Sequence, residues 1–199
     1  MSYNEEIRKV ISIEINGLQN LEKNINGTYG QLVEMILNMK GKLIITGVGK
    51  SGLIAKKISA TFSSIGTPCF YMHSTEGLHG DLGMIEKGDI VIAISNSGET
   101  SEVLALMPSI QKIGACLVSM TSNSQSTLAK LSELALVYQY DQEADHLNLA
   151  PTTSAIICLA IGDAVACTVS KCRNFTAEEF HTFHPGGSLG NLLEQNLLK

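Results

Sequence analysis

Five short apolar runs, KLIITG (42–47), CFYMH (69–73), DIVIAIS (89–95), CLVSMT (116–121) and LALVYQY (134–140), follow one another in regular rotation with segments of helical character at 51–65, 76–85, 100–113 and 124–131. Runs of this length and β-rich content read as strands. Strands that alternate with helices pair in parallel, because each return path is a crossover, and a parallel sheet has to be covered on both faces. The runs are continuously apolar, as burial on both faces requires. The expectation is an α/β fold, doubly wound and flavodoxin-like, with a five-stranded parallel sheet flanked by helices and right-handed crossovers.

Two helices are expected ahead of the sheet. Ile7, Val10, Ile11, Ile15, Leu18 and Leu21 recur at helical spacing, and QLVEMILNM repeats the pattern before KGK ends it. A chain of 199 residues forms one core comfortably, and no repeat or low-complexity linker divides it. The expected organisation is a single domain over 1–199: N-terminal helices in 1–40, an α/β core in 41–173, and a C-terminal active-site and helical segment in 174–199.

Charge narrows the partners. Fourteen Lys and Arg against 19 Asp and Glu give a net charge of −5 with no basic run, so no nucleic acid is expected and a small molecule is favoured. The first twenty residues mix acids and bases and have no secretory apolar region. The stretch APTTSAIICLAIGDAVACTV is nearly of spanning length but carries Asp163 and small polar residues. It reads as a buried helix, with no membrane. Close packing of that helix against another, across an interface or within the chain, is expected around Asp163. Cys69, Cys116, Cys158, Cys167 and Cys172 are odd in number and mostly lie in apolar runs, which fits a reducing cytoplasm.

Ligands of such sheets sit beyond the carboxyl ends of the strands. The first strand is followed by GVGKSG (47–52), where Gly47, Gly49 and Gly52 have dinucleotide-fingerprint spacing and Gly49, Lys50 and Ser51 mimic the end of a P-loop. A P-loop would need glycine at Ile44, and a dinucleotide site would need an acid at the tip of the next strand, where MHSTEG offers only Glu76. What survives is a helix start able to hold an anion, with Lys50 at its mouth; the alternative is a plain turn with an exposed lysine. The third strand exits through SNSGETSE, where Ser95, Asn96, Ser97 and Thr100 surround another helix start. Each alone is readable as a cap. Together, two such turns outline a pocket for a phosphate monoester and the sugar attached to it.

The motifs GVGKSG, ATFSSIGTP, HGDLGMI, IAISNSGETSE, LAPTTS, GDA, FTAEEF and HPGGSLG appear in that order. On them the chain resembles the sugar isomerase (SIS) family, and within it the arabinose 5-phosphate isomerases. The resemblance implies reversible conversion of D-arabinose 5-phosphate and D-ribulose 5-phosphate, at the entry to synthesis of the eight-carbon acid Kdo, with no cofactor. It points to Lys50, Glu99, Glu143 and His184 as the working set. It also implies a homotetramer built as a dimer of dimers with shared active sites, His184 reaching a neighbouring subunit's pocket. Many relatives carry paired CBS regulatory modules after this domain. This chain stops shortly after HPGGSLG, so regulation is expected elsewhere, with CMP-Kdo a candidate feedback ligand at the same anion cradle. The competing readings are a non-catalytic sugar-phosphate sensor and an isomerase of another sugar phosphate.

Moving a proton between adjacent carbons through an enediolate needs a base, a proton carrier for the oxygens, and positive charge or donors at the oxyanion. Glu143, after the last strand, is the expected base; its alternative is a solvated loop acid. Glu99, read in the first turn of a helix, is the rival base or an organiser of Lys50 and the loop. Lys50 suits the enediolate or the phosphate. His184 suits proton transfer among the sugar oxygens, the alternative being a surface histidine. His79 is expected to line the pocket, with Gly49 and Ser51. His73, His79, His181 and His184 lack the spacing of a zinc motif, and the chemistry needs no metal, so none is expected.

Overall fold

Alternate residues of a strand face opposite sides of its sheet, and in this chain both sides are apolar. The computed structural model describes residues 2–187 and Glu194. Its elements run α1 (Tyr3–Lys23), α2 (Gly27–Asn38), β1 (Leu43–Gly47), α3 (Gly49–Ser64), β2 (Cys69–His73), α4 (Ser74–Gly77), a 3-10 turn (Asp81–Met84), β3 (Ile90–Ile94), α5 (Ser101–Leu104), α6 (Met107–Ile113), β4 (Cys116–Thr121), α7 (Thr127–Leu131), β5 (Leu134–Val137), α8 (Thr153–Cys172) and α9 (Ala177–Phe183). Residues 188–193 and 195–199 of the expected C-terminal segment lie outside the described residues.

The sheet is all parallel in the order β2-β1-β3-β4-β5, with Leu43 opposite Cys69 on one side and Ile90 on the other. That is the doubly wound α/β fold expected. Leu43, Ile45, Ile92, Ile94, Val118, Met120 and Leu136 face a core shared with α2, α3 and α8. Their neighbours Ile44, Val91, Ala93 and Leu117 face a second core closed by Val103, Leu106, Met107, Ile110 and Leu128. Each fully buried aliphatic side chain contributes about 2 kcal/mol from leaving water, so both faces are needed to hold the sheet.

Differences from expectation have local causes. The segment 100–113 is two helices, because Pro108 near the start of α6 cannot continue a hydrogen-bonded ladder from α5. The segment 76–85 holds only the end of α4 and the 3-10 turn, with Gly80 between them at φ 132°. β5 is shorter than its apolar run: after Val137, Tyr138 still donates to the Thr121 carbonyl at 3.1 Å, and the chain then leaves the sheet. On α1, Ile7, Ile11 and Ile15 face outward while buried Gly17 meets α8.

α8 is long and apolar enough in composition to cross a membrane, yet here it packs on α1, α2 and α3. Gly162 allows that closeness: a Cβ on it would lie 2.5 Å from Ile58 of α3. Beside it Lys57 Nζ donates to Asp163 at 2.7 Å, so the Asp163 partner lies within the chain. At the far end of α8 Arg173 donates to Thr67 Oγ1 and the Ile36 carbonyl, both at 3.0 Å. Those two residues precede β2 and β1, so α8 runs from the carboxyl edge of the sheet to its opposite edge, and α9 starts there.

Candidate active site

Two long helices on one face begin at the carboxyl edge of the sheet, and their first turns are built differently. α3 follows β1 through Val48, its N-cap, which has no side-chain oxygen to cap with, so the first-turn N–H groups stay open. Gly49 sits at φ 60°, where a side chain would be strained. Gly52 lets the helix lie on its strand, since a Cβ there would be 2.8 Å from the Gly47 carbonyl oxygen and the Tyr71 hydroxyl. Ile44, where a P-loop needs glycine, is a buried strand residue. Exposed Lys50 and half-buried Ser51 occupy the mouth of α3.

The start of α8 is filled from within the chain. Buried Glu143 accepts from the N–H of Thr152 at 2.9 Å, the hydroxyl of Thr152 at 3.2 Å and the N–H of Ser154 at 3.1 Å, while the Ser154 hydroxyl donates to its other oxygen. Its own N–H donates to Asn148 Oδ1 at 2.7 Å. Burial pushes the Glu143 carboxyl up, but the Ser154 hydroxyl and the N–H groups of Thr152 and Ser154 outweigh it, leaving the group below its ordinary 4.5. The loop acid is therefore neither solvated nor free.

Ser95, Asn96, Ser97 and Thr100 do come together on one loop, and each side chain is hydrogen-bonded within the protein. Ser95 Oγ lies 2.8 Å from Thr100 Oγ1 and accepts from the Gly98 N–H at 3.1 Å; the Ser97 hydroxyl is exposed and accepts from the Glu99 N–H at 3.2 Å. Gly98, at φ 69°, is pressed against Ser126, where a Cβ would overlap the Ser126 side chain. Asn96 is clamped by two tyrosines: its Nδ2 donates to Tyr140 Oη at 2.9 Å and its Oδ1 accepts from Tyr138 Oη at 3.0 Å.

Glu99 departs from its expected place. It precedes the helix, whose N-cap is Thr100 and whose first-turn acid is Glu102, because Gly98 turns the chain one residue earlier. Its carboxylate accepts from the Thr127 N–H at 2.7 Å, and that bond holds it below the ordinary carboxylate range. Glu99 ties the β3 loop to α7 and makes no bond to Lys50.

Lys50, Ser51 and Asn96 meet Tyr138, Ser154 and Cys158 around a small cavity of about 30 Å³. Burial and then the nearby Glu143 charge push the Cys158 thiol up to about 12 against the pull of Tyr138, so it is no nucleophile. Beyond Glu143 opens a larger polar crevice of about 470 Å³, lined by Asn20, Gln139, Gln142 and Asn148 among others. His79 is exposed in the turn after α4. His184 ends α9 with Nδ1 2.9 Å from the Phe180 carbonyl and its ring stacked on Phe180 at 3.9 Å. α9 leaves from the opposite edge of the sheet, so no contact joins His184 to the cavity of its own chain among the described residues. Among those residues, too, no three His, Cys, Asp or Glu side chains converge as metal ligands.

Sequence reading missed Tyr138, Tyr140, Thr152 and Ser154. The signal for the last two was present: Thr and Ser directly after Pro151 at a helix start, where an upstream acid has N–H groups to find. The tyrosines looked like strand residues.

Residues 35–167 match the SIS domain model. The chain is 45% identical over 186 residues to arabinose 5-phosphate isomerase KdsD of Pseudomonas aeruginosa, covering 94% of this chain and 57% of that protein. It is 45% identical over 188 residues to arabinose 5-phosphate isomerase KpsF of Escherichia coli O6:H1, covering 94% and 58%. A solved structure from E. coli CFT073, in complex with arabinose 5-phosphate, superposes with a TM-score of 0.90 at 41% identity, covering 93% of this chain and all of that one. The chain thus spans under three-fifths of the length of these curated relatives.

Proposed function

Because the chain belongs to the SIS-domain family, we propose that it is an aldose-ketose isomerase interconverting D-arabinose 5-phosphate and D-ribulose 5-phosphate through an enediolate. One observation carries the reading: the uncapped start of α3, with Lys50 at its mouth, shares a cavity with Asn96 and with Ser154, whose hydroxyl is bonded to Glu143. An open helix start and a lysine suit a phosphate dianion; an ionised carboxylate beside it suits proton transfer from a sugar carbon. Its likeness to named arabinose 5-phosphate isomerases, and to a structure holding that sugar phosphate, supports the same substrate.

In this proposal Gly49, Lys50, Ser51 and Ser97 bind the phosphate, and Lys50 also answers charge on the enediolate. Glu143 carries the proton between C1 and C2. Ser95, Asn96 and Thr100 hold the loop in shape, Glu99 fastens it to α7, and His79 approaches the sugar from the turn after α4. His184, far from its own pocket, serves a neighbouring subunit in a homotetramer of two dimers. The whole is read as one domain, working in the cytoplasm at the entry to Kdo synthesis. CMP-Kdo is its proposed feedback ligand; absence of competition with substrate in turnover assays would remove that element.

A second reading, sugar-phosphate binding without turnover, draws on the depressed basicity of Glu143. NMR in heavy water separates the two. With D-arabinose 5-phosphate, the wild type is expected to form ketose and exchange one carbon-bound proton with solvent; Glu143→Gln stops both, and Glu99→Gln retains both at reduced rate. Binding with neither ketose nor exchange would favour the sensor.

A further inference from the structure

We propose that Asn148 is a positioning residue: its side chain fixes the backbone at Glu143 and so sets where that carboxylate stands. The functional consequence rests on the isomerase reading; the bond does not. Among the described residues, two other than glycine adopt positive φ, Asn148 at 55° and Asn174 at 54°. Asn174 has an ordinary reason. It follows the C-cap of α8, and its neighbour Phe175 donates back to the Ser170 carbonyl at 3.1 Å, as a left-handed helix end requires. Asn148 ends no helix. Its conformation costs free energy that glycine would not, and what an asparagine adds there is an acceptor: Oδ1 takes the Glu143 N–H at 2.7 Å.

From Glu143 to Thr152 the chain forms neither helix nor strand, so its N–H groups have to be met one by one. The Ala144 N–H donates to Thr152 Oγ1 at 2.7 Å. That of Asn148 itself donates to the Asp145 carbonyl at 2.8 Å, closing a turn, and those of Leu149 and Ala150 donate to Asp145 Oδ2 at 3.1 and 3.2 Å. Within this folded loop the left-handed residue brings its side chain back to Glu143. Asn148 then holds the root of the Glu143 side chain, while Thr152 and Ser154 hold its tip. Fixed at both ends, the carboxylate is set in place before a substrate arrives.

Asn148→Gly tests the tie. Asn148 is exposed, so the variant opens no cavity in the core, and glycine keeps the positive φ while deleting the acceptor. Amide hydrogen exchange at Glu143 should quicken roughly fivefold, the scale of one neutral hydrogen bond, with protection of the sheet unchanged. Turnover should fall roughly tenfold while KM stays within about twofold, because a misplaced base weakens the transition state and leaves phosphate binding alone. Asn148→Asp keeps both an acceptor and a residue that tolerates positive φ, and should restore slow exchange and most of the turnover. Unchanged exchange at Glu143 in Asn148→Gly overturns the proposal, as does faster exchange with wild-type turnover. Lost turnover with faster exchange throughout the sheet assigns Asn148 to folding alone and also overturns it. If the wild type turns over no pentose phosphate while exchange at Glu143 still quickens in Asn148→Gly and recovers in Asn148→Asp, the isomerase reading falls and the tie stands.

Discussion

α3 and α8 start at the same edge of the sheet, on the same face, and present the same partial positive charge to what lies beyond it. One is sealed and the other open. At α8 the chain supplies its own anion, Glu143, held by two N–H groups and two hydroxyls. At α3 the N-cap is Val48, which supplies nothing, and the first-turn N–H groups are left without a side-chain cap. The difference teaches how one physical device can be used in two ways: filled from within, a helix start fixes a carboxylate and keeps it ionised; left uncapped, it keeps its N–H groups open, and that is where the proposed function seats the phosphate.

The largest effect should come from unsealing α8. Glu143→Ala leaves buried N–H groups unmatched and should cost about 2–4 kcal/mol of stability, read as a lower urea midpoint, whereas Glu143→Gln preserves some acceptance yet should lose roughly 100-fold or more in turnover. The sign of the pH dependence follows from the depressed folded-state pKa. The contribution of Glu143 is fully present above its unfolded value near 4.5 and is lost as pH falls through the lower folded value, so acid unfolding of Glu143→Gln should be shallower than wild type in that window. Equal slopes would mean the seal adds nothing.

Closing α3 should have an intermediate effect. Val48 already has extended geometry, φ −124° and ψ 151°, so Val48→Asp would place a carboxylate where α3 lacks one. A cap is worth about 1 kcal/mol, near the packing lost from a half-buried valine, so the melting temperature should hardly change. KM for the sugar phosphate should rise roughly tenfold because the new charge competes for the same N–H groups. An unchanged KM would place the phosphate elsewhere. The smallest effect belongs to Ser97→Ala: a rise in KM of about threefold with kcat nearly kept, as removal of a uniform binding contact requires.

The sheet was legible because buried parallel strands announce themselves as unbroken apolar runs, and all five stand where the sequence predicts them. The uncapped helix start was legible by position, since Gly49, Lys50 and Ser51 follow the first strand at the switch point of the sheet. What the side chains do there was not. Ser95, Asn96 and Thr100 are the same residue types whether they hold a ligand or one another, and only the folded loop decides. Glu99 was displaced by a single residue of turn at Gly98, too fine a detail for periodicity to resolve. Glu143 was assigned to the right edge of the sheet, but its bonds to Thr152 and Ser154 bridge nine and eleven residues of irregular chain, where no spacing rule applies.

Gly162 has a reach that its distance from the site conceals. It sits nine residues into α8, roughly 14 Å along the helix from its first turn, and the contact it permits with Ile58 brings α3 and α8 together. One rod starts at Lys50 and the other at the turn that holds Glu143, so their spacing sets the distance between a lysine and a carboxylate, and a single methyl group added in the dry interior would change it. In the proposed isomerase that distance is the gauge between the phosphate and the reacting carbons.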